Sequence, residues 1–246
     1  CETRLAIDTP SAGAEIESPT CGTRQVIPPK GLEPGTTIGG FKLVKLIGRG
    51  GMGEVYLARQ LSLDRMVALK LLSRSGSLSG DAAERFVQEI RLTARLEHPY
   101  LVTAFEAGED AGVLYLAMAY IRGASLHEHV RKRGPVPESD ALVLGRKLAS
   151  ALAHAWRELR LLHRDIKPSN ILLDSNGEPR LADLGLAKCI DKNDGRTLAG
   201  ALLGTPNYMS PEQAEGREDL DVRADIYSLG ATLYTAVTGQ IPYEAT

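Results

Sequence analysis

The chain reads as an α+β protein in which strands gather in the first half and helices take over in the second. Three observations predict this. Short runs rich in branched residues recur at 41–47, 54–58, 67–70, 101–107 and 113–118, separated by turn-forming stretches. Apolar residues then recur at helical spacing over 138–158, as they do earlier over 81–96. Finally, Ile171-Leu172-Leu173 runs into Asp174-Ser175-Asn176-Gly177, and an Asn-Gly pair is the strongest short hairpin signal. With 246 residues and 43% apolar content, the composition is that of an ordinary globular chain.

Taken in order, residues 1–35 carry prolines at 10, 19, 28, 29 and 34 and no sustained periodicity. Such a stretch buries too little apolar surface to offset its ordering entropy, so 1–40 is expected to be a flexible leader. Order is expected near Phe41, where strand 41–47 meets Gly48-Arg49-Gly50-Gly51-Met52-Gly53 and then strand 54–58. This GxGxxG joins two strands, whereas a dinucleotide fingerprint needs a helix after its third glycine. A glycine hairpin lets backbone amides approach phosphate oxygens unobstructed; a merely structural turn is the competing reading. Lys70 ends the apolar strand Val67-Ala68-Leu69-Lys70, where a lysine ordinarily reaches out to solvent.

The helix over 81–96 places Phe86, Ile90 and Ala94 on one face and also carries Glu89. Strands 101–107 and 113–118 follow, turned by 108–112. Ser125 and Glu128 form a capping box that opens a short helix. Over 138–158 the inward face is expected to hold Leu142, Gly145, Leu148 (or Ala149) and Leu152, with His154 and Trp156 as packing residues and His127 and His129 at the surface.

The stretch HRDIKPSNILL, from His163 to Leu173, sets a carboxylate (Asp165), a cation (Lys167) and an amide (Asn170) within six positions. Folding back about the bond between Asn176 and Gly177 places residue 170 opposite residue 183. An amide oxygen and a carboxylate presented together suit Mg²⁺, with Asp165 nearby to take a proton. A polar loop before a hairpin is the plain alternative.

HRDIKPSN, the hairpin and Asp183-Leu184-Gly185 together resemble the catalytic loop and metal-binding segment of eukaryotic-type (Hanks-type) serine/threonine protein kinases, in their bacterial branch. The family's other segments follow in the family's order from residue 41 to the end. The resemblance implies a bilobal fold, with an antiparallel N-lobe sheet and one long helix (41–118), a hinge (119–124) and a mainly helical C-lobe (125–246). The family's C-lobe normally continues through further helices, so a shortened lobe with exposed apolar surface is expected.

By the same resemblance, ATP contacts fall to Ile47, Gly48, Gly50, Gly53, Val55, Ala68, Lys70, Met118 at the gatekeeper position, Tyr120, Ile121 and Leu172. Lys70 would sit on the α- and β-phosphates, held by Glu89, and Asp165 would accept the proton of the acceptor hydroxyl. Lys167 would sit on the transferring phosphate, while Asn170 and Asp183 would hold Mg²⁺, with Mn²⁺ as a substitute. Asp225 matches the aspartate that braces the loop, and His163 a packing residue. Arg164 would meet a phosphorylated Thr197, and Thr205 in Gly204-Thr205-Pro206 would bond the catalytic loop. Lys167 and Gly204-Thr205-Pro206 are what place the resemblance in the serine/threonine branch. Three positions depart from the family pattern: Ala119 for a frequent Glu, Leu184 for Phe, and Ser210 for Ala before Pro211-Glu212.

The implied function is ATP-dependent phosphorylation of protein serine and threonine hydroxyls (the EC 2.7.11.1 class), with autophosphorylation in the activation segment. A nucleotide-binding pseudokinase scaffold competes with it, and a small-molecule phosphotransferase is disfavoured by the 204–212 segment. A net charge of −2 argues against nucleic-acid partners. No apolar run approaches the roughly 20 residues of a membrane span, and no secretory signal opens the chain. Three scattered cysteines argue against a disulfide framework or zinc site and fit a reducing compartment. The expected setting is cytoplasmic, with protein substrates; an N-lobe homodimer and a membrane anchor beyond residue 246 are further features of bacterial relatives.

Overall fold

The computed structural model describes residues 32–50, 53–72, 90, 93–94, 96–110, 112–184, 206–217 and 219–243, together with the backbone of Glu15–Glu17 and Arg24–Val26. Two compact units result, one formed by Cys1–Ala83 with Gly108–Ala117 and the other by Glu84–Ala107 with Met118–Thr246. Near the amino end, β1 (Glu15–Glu17) pairs antiparallel with β2 (Arg24–Val26).

The first unit is built on a sheet of β3 (Thr37–Ile38), β4 (Phe41–Gly50), β5 (Gly53–Gln60), β6 (Arg65–Leu72), β7 (Ala104–Asp110) and β8 (Val113–Ala119). Their order is β3-β4-β5-β6-β8-β7. The sheet starts a few residues before Phe41, because Gly39 and Gly40 both take positive φ (55° and 83°) and close a two-residue hairpin. Gly39 then donates its N–H to Asp110 Oδ2 at 2.7 Å. That bond accounts for β7 running on to Asp110, past the expected strand end at 107. One face of the sheet buries Phe41, Leu43, Tyr56, Ala58, Val67, Leu69, Leu71 and Tyr115 as a core. Within it the Tyr56 hydroxyl donates to Glu54 at 2.6 Å, and burial, then that carboxylate, pushes the phenol up to about 12.

In the second unit, β9 (Gly123–Ser125) leads into α1 (Leu126–Arg133) and α2 (Glu138–Leu159). A 3₁₀ turn (Pro168–Asn170), β10 (Ile171–Asp174) and β11 (Pro179–Leu181) follow, then a second 3₁₀ turn (Pro206–Tyr208), α3 (Pro211–Ala214) and α4 (Val222–Thr238). β10 is the middle strand of three, with Leu172 opposite Arg180 on one side and Ser125 on the other. The expected capping box is present: Ser125 Oγ accepts the Glu128 N–H at 3.1 Å, and Glu128 accepts the Ser125 N–H at 3.2 Å.

On the inward face of α2, Gly145, Leu148 and Leu152 are buried as expected, but Leu142 and Ala149 are not. Ala141, Leu144, Gly145, Leu148, Ala151, Leu152 and Ala155 are buried, whereas Leu142 is 66% exposed and Ala149 faces solvent. Steps of four and three from Ala141 stay on one stripe, while Leu142 lies about 100° round the helix from it. The core joins Leu144, Leu148, Ala151, Leu152 and Ala155 to Leu101, Ile166, Ile171, Leu181 and Leu229.

α4 starts at Val222, where Asp221 caps it by accepting the Arg223 N–H at 2.9 Å. Its buried face is not simply apolar. Asp225, Ser228, Thr232 and Thr235 are buried beside Ala224, Leu229 and Ala236.

His98 stacks against His154 at 5.3 Å between ring centroids, and its Nε2 lies 3.2 Å from Ser150 Oγ. Burial, then the neighbouring His154 and Arg157, holds its pKa below the ordinary 6.5. A histidine depressed in the fold takes up its proton more readily when unfolded, so its contribution is present above about 6.5 and is lost as pH falls below it. The urea midpoint is therefore expected to drop between pH 7 and pH 5. In His98→Asn that slope should flatten, as followed by intrinsic fluorescence.

Candidate active site

The loop from His163 to Asn170 hangs from α4. Both oxygens of the buried Asp225 carboxylate accept consecutive backbone N–H groups, His163 at 2.8 Å and Arg164 at 2.9 Å. Thr232, two turns further along α4, donates to the Ile166 carbonyl at 3.4 Å. These bonds account for Asp225 and Thr232 on the inward face of α4, whereas Thr235 bonds the Tyr208 hydroxyl at 3.3 Å. They also fix Arg164 in a left-handed conformation (φ 66°), which few residues with a Cβ adopt.

His163 is fully buried and works through both ring nitrogens. Its Nδ1 lies 3.2 Å from the Asp165 N–H, which can only donate, so the ring proton sits on Nε2. That Nε2–H donates to the Ala182 carbonyl at 2.8 Å. One side chain thus ties the catalytic loop to the segment that carries Asp183, as expected of a packing residue.

Asp165 gathers the loop's other polar groups. Lys167 Nζ lies 2.8 Å from Asp165 Oδ2, and these side chains are only 21% and 12% exposed. Asn170 Nδ2 donates to the Asp165 backbone carbonyl at 2.7 Å and to Asp165 Oδ2 at 3.0 Å. A carbonyl only accepts, so this contact fixes the amide's orientation and leaves Oδ1 as its acceptor. That is the atom a hard cation takes, so the residues present fit Mg²⁺ on this count.

The hairpin register differs by one from the expected fold-back. Ile171 pairs with Leu181 and Leu172 with Arg180, so Asn170 is level with Ala182, whose N–H donates to the Asn170 carbonyl at 2.9 Å. The loop has three residues rather than two. Asp174 Oδ1 accepts the N–H groups of Asn176 (2.9 Å) and Glu178 (3.0 Å), while Gly177 takes φ 80°. Those two N–H groups hold the Asp174 carboxyl below the usual carboxylate range. Asp183 thus lies one position beyond the pair, in left-handed backbone (φ 63°). Strand alternation stops there and no longer dictates which side its carboxylate takes.

In the first unit, Gly48 pairs with Val55, Gly50 with Gly53, Val55 with Lys70 and Leu57 with Ala68. Cross-strand partners share a face, so the three glycines, Val55, Ala68 and Lys70 all belong to the sheet face opposite the core. Lys70 is 4% exposed, which removes the solvent-reaching alternative. Ile47 is 40% exposed on β4. In the second unit Met118 is buried at the end of β8, Tyr120 and Ile121 are half-buried in the link to β9, and Leu172 is half-buried on β10. Glu89, Thr197 and Thr205 lie outside the described residues.

Two supporting residues escaped the sequence reading. Ser210, noted there only as a departure, caps α3: its Oγ accepts the Gln213 N–H at 3.3 Å, and Gln213 Oε1 accepts the Ser210 N–H at 3.2 Å. Gln213 Nε2 also donates to the Arg164 carbonyl at 3.0 Å. The signal was available, since Ser210-Pro211-Glu212-Gln213 is a capping-box pattern with proline at the first helical position.

The protein kinase domain family model matches residues 41–246. The chain is 36% identical over 206 residues to the serine/threonine-protein kinase PrkC of Bacillus subtilis, a match covering 84% of this chain and 31% of PrkC. It is 44% identical over 207 residues to the serine/threonine-protein kinase PknK of Mycobacterium tuberculosis, covering 83% of this chain and 18% of PknK. The chain thus spans a third or less of these two relatives. Among solved structures, the M. tuberculosis PknI kinase domain superposes with a TM-score of 0.70 at 32% identity, covering 87% of this chain and 78% of PknI. The chain belongs to the protein kinase family, in its bacterial Hanks-type serine/threonine branch.

If Asp225 carries the loop, Asp225→Ala should cost about 2–4 kcal/mol, since it strands two buried N–H groups, while Asp225→Asn should cost less. Urea denaturation monitored by circular dichroism measures both.

Proposed function

We propose that this protein transfers the γ-phosphoryl group of ATP to serine and threonine hydroxyls of proteins. The observation that carries the reading is the convergence of Lys167 and Asn170 on one oxygen of Asp165, at 2.8 and 3.0 Å. A carboxylate held this way has a fixed orientation and is suited to receive a proton from one direction. In the transfer, the acceptor oxygen forms a bond to the γ-phosphorus as the bond to the β-phosphate oxygen breaks. The hydroxyl proton passes to Asp165 and ADP leaves. Because the transition state is loose, the protein mainly positions groups and neutralises charge.

Lys167 neutralises the transferring phosphate, and Lys70 the α- and β-phosphates. Asn170 and Asp183 are the residues to hold Mg²⁺ or Mn²⁺, which when bound neutralises phosphate charge. Gly48 and Gly50 support phosphate binding by a contrast with Gly53. A Cβ at Gly53 would collide with the Leu71 carbonyl, and its φ is 137°, so the fold itself requires that glycine. A Cβ at Gly50 meets nothing within 4 Å and one at Gly48 only Val55 at 3.8 Å, so neither is required by packing. Bare backbone there suits close approach of a ligand.

The scaffold alternative differs in one measurable respect, the dependence of transfer on Asp165. With γ-labelled ATP and Mg²⁺, the full-length protein should label itself and a generic basic protein. Asp165→Asn should lose at least about 10²-fold of that rate while folding normally. Nucleotide binding with no Asp165-dependent transfer would favour the scaffold. Gly50→Ala should raise KM for ATP at unchanged Tm, whereas Gly53→Ala should cost roughly 1–3 kcal/mol of stability.

A further inference from the structure

We propose that Gln213 is a positioning residue for Asp165, acting through the peptide that joins Arg164 to Asp165. The proposal rests on the phosphotransfer reading above. That peptide plane is held at both edges: its C=O accepts from Gln213 Nε2 at 3.0 Å, and its N–H donates to His163 Nδ1 at 3.2 Å. Just before it, the Arg164 N–H is held by Asp225 Oδ1 at 2.9 Å, with Arg164 in the left-handed region. Turning this plane moves the Asp165 Cα and swings its carboxylate away from the acceptor hydroxyl.

The Gln213 amide cannot be reversed. Arg164 O only accepts and the Ser210 N–H only donates, so Nε2 must face the first and Oε1 the second. One side chain therefore closes the cap of α3 with its oxygen and aims the base with its nitrogen.

The two jobs separate by mutation. Gln213→Glu keeps an oxygen for the Ser210 N–H but turns a carboxylate oxygen toward the Arg164 carbonyl, where no hydrogen bond forms. Ser210→Ala weakens the cap and leaves the amide donor in place. In the full-length protein, Gln213→Glu should lower kcat about tenfold at unchanged KM for ATP, because Lys167 and Asn170 still hold the carboxylate. It should also lower Tm by roughly 2–4 °C for the lost hydrogen bond. Ser210→Ala should lower Tm by roughly 2–4 °C and leave kcat at 20 °C unchanged.

Wild-type kcat in Gln213→Glu, or kcat falling only in step with Tm across the two variants, overturns the proposal. Asp165→Asn run alongside separates the levels. Transfer that survives in Asp165→Asn defeats the phosphotransfer reading itself, whereas loss there with wild-type Gln213→Glu defeats only the positioning role.

Discussion

The loop from His163 to Asn170 depends on one buried carboxylate. Asp225 accepts two successive backbone N–H groups, which requires the chain at Arg164 to turn through the left-handed region. That conformation costs about 1–2 kcal/mol for a residue with a Cβ, while each hydrogen bond to a charged acceptor contributes roughly 1.5–3 kcal/mol. The two bonds outweigh the strain, so the loop adopts one conformation because α4 imposes it. The helix is the rigid element and the loop the functional one, an arrangement that gives a catalytic residue a defined place without burying it completely.

From that anchor a chain of backbone clamps runs outward. His163 fixes the Asp165 N–H and the Ala182 carbonyl, and the Ala182 N–H goes to the Asn170 carbonyl. Asp165 and the residue preceding Asp183 are thus held by the same imidazole, and Asn170 by bonds to both segments. The apolar slot filled by Leu184, where the family usually has phenylalanine, is only one contributor to keeping this segment in place. Hydrogen bonds to Ala182 hold it independently of that side chain.

The fold was legible wherever local signals were strong. Glycine turns, branched runs and the capping box at Ser125 located β4–β8, the β10–β11 hairpin and α1 from residue type alone, but not β1–β3 or β9. The register of the catalytic hairpin was not, because Asn-Gly fits a two-residue loop as well as the observed three-residue one. The choice is made by Asp174, whose side chain reaches the N–H groups of Asn176 and Glu178. On α2 a single position, Leu142, was misassigned, because Ala141 is a weak apolar marker beside Leu142 and Val143. The polar cluster was more legible than packing: Asp165, Lys167 and Asn170, which meet at one carboxylate oxygen, stood out by type and spacing. Their supports, Ser210 and Gln213, passed as ordinary polar residues because their importance lies in backbone groups distant in sequence.

The distribution of buried polar groups carries the argument a step further. Burying such a group without a partner costs several times what burying a methyl gains, so a chain retains it only where hydrogen bonds compensate. The buried polar residues here include Lys70, His163, Asn170, Ser210, Asp225 and Thr232. Of these, Asp225, Thr232, His163 and Asn170 bond the backbone of the catalytic loop, and Ser210 caps the helix from which Gln213 does the same. α4 shows the consequence most directly: a helix packed purely for stability would carry apolar residues on that face, and this one carries acceptors and hydroxyls instead. Gln60 and Thr235 are buried as well and bond elsewhere, to Arg65 and Tyr208, so it is the subset on the 163–170 loop that marks where backbone is held in an unfavourable shape.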